Sequence, residues 1–350
     1  MTSAGHSSFI RGAALAAVLA GATFAATPAF ADERYAAIVM DARSGEVLLD
    51  DHAEEIRYPA SLTKMMTLYM VFDAIQHGQL TMDTRLTASR NATRQPPSRL
   101  GMRCNRRGAC DSITVDQAIR AIAVQSANDV ATMVAERLGG SESRFAAEMT
   151  ARARTLGMTE TRFVNASGLP DPLHHSTARD MAILAQALWR DFPQYYGYFQ
   201  TESFSWGRRT SRNHNHLLGE VQGLDGIKTG YTRASGFNLA TSTERNGHRV
   251  IVVVLGGESA AARDSQVAYL IDGAFEEYAR RTDPNAAQFA SLQTRRLDVR
   301  LAPGALNASA GQSMTAQAVP QGQVVQTLSP IHAPLPPDAS APGADEDPND

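Results

Sequence analysis

Lysine is almost absent from this chain, and both of its lysines stand beside hydroxyl side chains. Of the 33 Lys and Arg residues only Lys64 and Lys228 are lysines, so arginine occupies every other cationic position. Arginine stays protonated in a protein, whereas lysine can lose its proton when it is desolvated or set beside another positive charge. The composition therefore singles out Lys64 and Lys228 as residues whose chemistry could require an amine.

The first lysine follows a serine at helical spacing. Ser61 and Lys64 lie in residues 59–64 (PASLTK), where a helix is predicted to begin, so the hydroxyl and the amine would share one helix face. The free N–H groups and the positive dipole end of a helix N-terminus suit a developing oxyanion and favour a low amine pKa. The pattern predicts a nucleophilic serine with a lysine base, the alternative being an N-cap serine and a surface charge.

Two further segments could complete such a site. Residues 228–230 (KTG) precede a predicted strand, where an amine and a hydroxyl could bind a substrate carboxylate and the glycine would let a ligand backbone approach. Residues 126–128 (SAN) lie between two predicted helices and offer a hydroxyl and an amide that could bridge the two lysines. Taken singly, these segments also fit a turn with an incidental lysine and an ordinary N-cap.

The elements that must position these segments follow from hydrophobic periodicity. Alternation at 35–50 predicts a hairpin around Ser44-Gly45, and strands at 237–243 and 248–255 predict another around Asn246-Gly247. Helices are predicted at 61–77, 114–124, 128–138, 141–156, 177–189 and 263–278. Distant strands would therefore join in one antiparallel sheet flanked by the first and last helices, with the other helices as an inserted lobe and a cleft between the lobes.

The two ends of the chain differ in composition from this folded part. Arg11, an apolar run at 13–26 and the small residues at 29–31 predict a secretory signal peptide at residues 1–31, the alternative being an uncleaved membrane anchor. Nine of the sixteen prolines lie from residue 284 onward, so residues 284–350 are predicted to be a low-complexity, mostly disordered tail with one weak strand at 295–301. Residues 32–283 would form the folded domain.

Export and charge narrow the possible environments and partners. The signal peptide predicts a location in the periplasm or cell envelope, where the only two cysteines, Cys104 and Cys110, are expected to form a disulfide. A net charge of −3 indicates no nucleic-acid partner, and the acidic end of the tail predicts no membrane anchoring. No metal site is expected, because the cysteines have no neighbouring histidine and residues 214–216 (HNH) have no nearby acidic ligand.

In this order and spacing, the three segments resemble the active-site motifs of the penicillin-binding protein and serine β-lactamase superfamily. More narrowly, residues 35–278 resemble the low-molecular-mass D-alanyl-D-alanine carboxypeptidases of peptidase family S11. The phrases that carry the resemblance are 58–67 (YPASLTKMMT), 126–129 (SAND), 163–170 (FVNASGLP), 176–181 (STARDM) and 225–230 (DGIKTG). The resemblance implies an α+β protein with a β-lactamase/transpeptidase-like fold, in which an antiparallel sheet is flanked by helices and carries an inserted all-helical lobe.

The resemblance also implies an activity. The enzyme would remove the terminal D-alanine from peptidoglycan stem peptides ending in D-Ala-D-Ala through an acyl-enzyme on Ser61, with Lys64 as base, and β-lactams would acylate the same serine. The N–H groups of Ser61 and Tyr231 would form the oxyanion hole, and no metal or organic cofactor is implied. The implied catalytic residues are Ser61, Lys64, Ser126 and Asn128, and the implied substrate-binding residues are Lys228, Thr229, Gly230 and Tyr231.

Three other functions are alternatives to a carboxypeptidase: a β-lactamase, a wall-binding protein without catalysis, and an endopeptidase. A class A β-lactamase requires a Glu-x-x-x-Asn element, and the nearest candidates, Glu160 and Asn165, are one residue too far apart. A catalytically silent wall-binding protein would not require an amine that can lose its proton. An endopeptidase acting on peptide cross-links would use the same residues as the carboxypeptidase, so the sequence does not separate these two.

Overall fold

The computed structural model describes residues 34–282, which form one central sheet, two small two-stranded sheets and six α-helices. The strands are β1 (Ala36–Asp41), β2 (Val47–Asp51), β3 (Arg85–Thr87), β4 (Ser112–Thr114), β5 (Ser203–Trp206), β6 (Arg209–Arg212), β7 (Leu224–Thr232), β8 (Gly236–Arg245) and β9 (His248–Gly257). The helices are α1 (Thr63–Gln76), α2 (Val115–Val124), α3 (Asn128–Gly139), α4 (Glu142–Leu156), α5 (Ala178–Asp191) and α6 (Ala260–Thr282). The predicted signal peptide, the tail and the weak strand at 295–301 lie outside the described residues.

The central sheet joins strands from both ends of the described chain. Its order is β2-β1-β9-β8-β7, and every neighbouring pair is antiparallel. In the turn between β8 and β9, Asn246 and Gly247 have φ values of +50° and +80°, the left-handed conformations that a tight two-residue hairpin requires. The predicted antiparallel sheet and both predicted hairpins are therefore confirmed.

Strand β9 separates two layers of helices. Residues 250–255 (VIVVVL) are all fully buried, and successive side chains of a strand point to opposite faces of the sheet. Residues 251, 253 and 255 join the core that includes residues of α1 and α5, whereas residues 250, 252 and 254 pack with α6. A strand covered on both faces needs an uninterrupted apolar run, which is what this segment of the sequence provides.

Helices α2, α3 and α4 form the helical lobe. The prediction that α5 also belongs to this lobe is wrong, because its buried apolar residues, such as Leu184 and Leu188, pack in the core that α1 shares with the central sheet. Thr114, Ser141 and Thr177 cap helices α2, α4 and α5, each accepting a backbone N–H with its side-chain oxygen. These helices begin one residue later than predicted, because the capping residue itself is not helical. Helix α6 is longer than predicted at both ends. No helix among residues 34–282 combines the length and the apolar character needed to cross a membrane.

Candidate active site

Ser61 lies in a short turn directly before helix α1. Residues Ala60–Leu62 form a 3₁₀ turn, and α1 begins only at Thr63, so the serine precedes the helix that the sequence places it in. The turn runs into the helix, and the spacing of three residues brings the two functional groups together. Lys64 Nζ lies 2.9 Å from Ser61 Oγ.

The turn that carries Ser61 is held against the sheet from two sides. Asn238 on β8 is fully buried and its amide donates to the carbonyl oxygens of Tyr58 and Pro59, at 3.0 and 3.1 Å. On β7, a Cβ atom added to Gly230 would lie 2.9 Å from the Ser61 nitrogen. The strand therefore passes so close to the serine that only a glycine fits there without a shift.

The contacts of Lys64 suit a neutral amine. Besides Ser61, its Nζ lies 2.7 Å from Asn128 Oδ1 and 2.7 Å from the carbonyl oxygen of Ser167. These two oxygens can only accept hydrogen bonds, so each takes one amine hydrogen, and Ser61 Oγ is the one partner of the three that can either accept or donate. In the neutral amine, the lone pair of the nitrogen would face the Ser61 hydroxyl.

The surroundings of Lys64 also lower its pKa. The side chain is fully buried, and this desolvation lowers the pKa well below the ordinary lysine value. The positive charge of Lys228 lowers it further, while the carboxylates of Asp129 and Glu142 act in the opposite direction. Burial is the largest of these effects, so the net result favours the deprotonated amine.

The segment between α2 and α3 contributes from the helical lobe. Asn128 is the first residue of α3, and its amide nitrogen donates to the carbonyls of Pro96 and Pro97, which turns its oxygen toward Lys64. Ser126 is buried and has a φ of +59°. Its hydroxyl has no hydrogen-bond partner among the described residues, so it is available to a ligand.

Strand β7 supplies the opposite wall of the cleft. Lys228 is 2% exposed, with Nζ donating to the carbonyl of Thr229 at 3.1 Å. The ring of Tyr231 packs on Phe237 of β8, with ring centres 4.3 Å apart. The residues that line the cleft are Ser61, Pro97, Ser98, Ser126, Asn128, Ser167, Gly168, Leu169, His214, Thr229, Gly230, Tyr231 and Thr232. None of these residues is an aspartate or glutamate, whereas two lysine amines lie behind them.

The structure thus gathers all eight predicted site residues around one cleft, six as lining and both lysines buried behind it. His214 lines the cleft as well, whereas His216 lies 3.1 Å from Asp264 and does not line it. Glu160, considered for a β-lactamase, is exposed and is not among the lining residues. Sequence reasoning missed the Ser167 carbonyl and Asn238, since a main-chain oxygen and an isolated strand asparagine carry no motif.

The sheet, the inserted helices and the Ser61–Lys64 pair place the chain among the penicillin-interacting serine proteins of β-lactamase/transpeptidase-like fold. It belongs to the D-alanyl-D-alanine carboxypeptidase family, peptidase S11, whose family model matches residues 23–259. A relative, D-alanyl-D-alanine carboxypeptidase DacF of Bacillus subtilis, is 31% identical over 260 residues, which are 72% of this chain and 64% of the relative. The chain therefore matches less than two thirds of that relative's length.

Solved structures agree with this assignment. Penicillin-binding protein 5 from Haemophilus influenzae has a TM-score of 0.65 and 30% identity, covering 69% of this chain and 70% of its own. Penicillin-binding protein D2 from Listeria monocytogenes, solved in an ampicillin-bound form, has a TM-score of 0.59 and 31% identity, covering 67% of this chain and 95% of its own. These similarities confirm the predicted fold class.

Proposed function

We propose that the protein is an exported serine-type D-Ala-D-Ala carboxypeptidase that removes the terminal D-alanine from peptidoglycan stem peptides through an acyl-enzyme on Ser61. The observation that carries the proposal is the fully buried Lys64 amine, which lies 2.9 Å from Ser61 Oγ and whose pKa is lowered chiefly by its burial. This is the arrangement in which a serine loses its proton to a neutral base. The predicted signal peptide at 1–31 supports a location in the periplasm or cell envelope.

Acylation follows from this geometry. Lys64 accepts the Ser61 proton as Oγ attacks the carbonyl carbon of the penultimate D-alanine, and the N–H groups of Ser61 and Tyr231 stabilise the oxyanion. Lys64 then holds the proton that the leaving amine needs. Ser126, whose hydroxyl is unpartnered in the cleft, passes it to the departing D-alanine, while Asn128 keeps Lys64 in place.

The charge of the cleft favours a substrate that ends in a carboxylate. Lys228 and Thr229 lie together on β7, and none of the lining residues in the described chain carries a negative charge that would repel the terminal carboxylate. Gly230 allows the substrate backbone to run beside this strand. Removal of one residue from a free C-terminus is therefore the reaction that the cleft suits.

Deacylation uses Lys64 again, because it is the base in contact with Ser61 Oγ and no carboxylate is present among the described lining residues. Lys64 takes the proton of the attacking water and returns one to Ser61. A β-lactam acylates Ser61 in the same way, but its ring-opened amine stays tethered where the water must enter. We therefore expect a persistent β-lactam adduct rather than rapid hydrolysis, in contrast to a β-lactamase.

Intact-mass spectrometry with penicillin, run beside D-alanine release from a pentapeptide ending in D-Ala-D-Ala, tests this function. The wild-type protein should give a stable adduct on Ser61 and release D-alanine. Ser61→Ala should lose the adduct and at least about a thousandfold of the release rate, whereas Ser205→Ala on exposed β5 should retain both. Rapid penicillin turnover without an adduct would identify a β-lactamase. The absence of both the adduct and D-alanine release would contradict an enzymatic function. Release from a cross-linked dimer but not from the pentapeptide would identify an endopeptidase.

A further inference from the structure

One wall of the cleft continues into a strongly basic segment that the proposed reaction does not use. Residues 84–110 contain seven arginines and no aspartate or glutamate, although the whole chain has a net charge of −3. Five of these arginines are exposed and lie close in sequence to residues 97 and 98, which line the cleft: one precedes these residues and four follow them. We call these five residues the arginine rim; they are Arg94, Arg99, Arg103, Arg106 and Arg107.

No guanidinium group of the arginine rim forms an ion pair within residues 34–282, although the carboxylate of Asp111 accepts the main-chain N–H of Arg103 at 2.8 Å. Among residues 34–282, the ion pairs to aspartate and glutamate involve other arginines, such as Arg120, Arg144 and Arg179. Arg99 donates only to a main-chain carbonyl, that of Gln95. The arginine rim therefore presents guanidinium groups, which bind carboxylates with two parallel hydrogen bonds, directly to solvent.

The segment that carries the arginine rim is held in place rather than loosely attached. The fully buried carboxylate of Asp129, next to Asn128, accepts the N–H groups of residues 100, 101 and 102. Farther along, the Cys104–Cys110 disulfide closes the loop that holds Arg106 and Arg107, and Asn105 Oδ1 accepts two N–H groups inside it. The main chain that carries these arginines is thus held in place, so their side chains are presented from a defined surface beside the cleft.

The arginine rim adjoins the cleft along the chain, since Pro97 and Ser98 line the cleft and Arg99 follows them directly. When the C-terminal D-alanines occupy the cleft, the rest of the peptide must leave it past one of its walls. Wall peptides carry further carboxylates on their acidic residues, and a polymer of such peptides offers many of them at once.

We propose that the arginine rim is a binding surface for the carboxylates of polymeric peptidoglycan, which holds the enzyme on the wall while single stem peptides enter the cleft. The inference rests on the proposed function, because it takes the identity of the polymer from it. The arginine rim contacts peptide carboxylates outside the cleft and takes no part in the acyl transfer. Binding is therefore weakened by salt, and short peptides without acidic residues are processed independently of it.

Co-sedimentation of the full chain with purified sacculi, stripped of phosphate polymers, tests the proposal. The variant Arg103→Gln/Arg106→Gln/Arg107→Gln should weaken binding roughly tenfold, since each exposed charge contact contributes modestly. A control of equal charge change on α4 and α6, Arg144→Gln/Arg154→Gln/Arg280→Gln, should stay within about twofold of wild type. Amidation of the sacculus carboxylates should abolish the difference between the two variants.

Activity and acylation measurements separate the possible failures. Both variants should react with penicillin and release D-alanine from a short uncharged peptide at the wild-type rate, which also establishes that they fold. If both variants bind sacculi equally, or if binding requires the phosphate polymers, the inference is wrong while the proposed function stands. If the rim variant instead raises activity on the short peptide with unchanged sacculus binding, the inference is also wrong. Absence of D-alanine release from the wild type would refute the proposed function itself.

Discussion

A buried histidine should make the stability of this protein depend on pH. His174 is 2% exposed; its Nδ1 accepts the N–H of Val164 at 3.2 Å, and its Nε2 lies 2.8 Å from Thr63 Oγ1. Since Nδ1 accepts, the single proton of the neutral ring is on Nε2 and is donated to Thr63, the residue before Lys64. Burial, as the largest cause, lowers the pKa of His174 to about 4, although the charge of Asp171 acts in the opposite direction.

The magnitude follows from proton linkage. The unfolded chain protonates this histidine near its ordinary pKa of 6.5, whereas the folded protein excludes the proton down to about pH 4. Between these values the unfolded state binds more protons, so stability falls as pH falls, by up to about 1.4 kcal/mol per pH unit. The contribution is complete above pH 6.5, and about 3 kcal/mol of it is lost on acidification to about pH 4.

Urea unfolding at a series of pH values between about 7 and 4 measures this loss. Carboxylates titrate in the same range, so the informative quantity is the difference between wild type and His174→Gln, which has no ionisable ring. We expect His174→Gln to be less stable at neutral pH but to lose about 3 kcal/mol less on acidification. His77→Gln, which removes a histidine whose side chain is 66% exposed, should follow the wild-type curve. A pH dependence that His174→Gln leaves unchanged would refute the reasoning.

Three further predictions concern the positioning of the site. Asn238→Ala should slow penicillin acylation by about 10- to 100-fold, because the turn that carries Ser61 would be displaced. Asn238→Asp should be as slow, because the carboxylate still accepts the N–H of Gly256 but cannot donate to the carbonyls of the turn. Unchanged acylation in either variant would contradict this role. Replacing Cys104 and Cys110 by serine should lower the free energy of unfolding by about 2 kcal/mol, as expected for so short a loop, and leave acylation unchanged. Urea titration measures the loss, and a double variant that is already unfolded without urea would contradict the prediction. Lys64→Arg should abolish acylation at every pH, whereas the wild-type rate should fall as acidification protonates Lys64; measurable acylation by the Lys64→Arg variant would exclude Lys64 as the base.

The sequence predicts the fold of this protein well because its local signals agree with one another. The run at 250–255 has no polar interruption, Asn246-Gly247 fixes the hairpin, and Thr or Ser stands at the start of three helices. The turn before α1 is less predictable. Ala60 has a φ of +48°, a conformation for which alanine has no preference, and tertiary contacts impose it. One of these is the pair of hydrogen bonds that Asn238 donates from a distant strand.

The site shows a similar division between side chains and main chain. The eight residues predicted at the site all lie around the cleft, and six of them carry hydroxyl, amide or amine groups whose spacing is visible in the sequence: Ser61, Lys64, Ser126, Asn128, Lys228 and Thr229. The Ser167 carbonyl was not predicted, although it contacts Lys64 as closely as Asn128 does. Its position depends on Asn165, whose side-chain oxygen accepts the N–H groups of Ser167 and Gly168 and shapes the turn. Residues 163–170 carry part of the family resemblance in the sequence, but their physical role becomes visible only in three dimensions.

The scarcity of lysine finally has a physical explanation that distinguishes the two lysines. Both are buried, at 0% and 2% exposure, in a protein whose exposed cationic positions are all arginines. Lys64 can act as a base only if it loses its proton, and its burial lowers its pKa well below the ordinary lysine value, whereas arginine would stay protonated. Lys228 donates to the carbonyl of Thr229, and its positive charge is the second cause, after burial, that lowers the pKa of Lys64. An arginine at position 64 would therefore remove the base, which explains why this position carries a lysine.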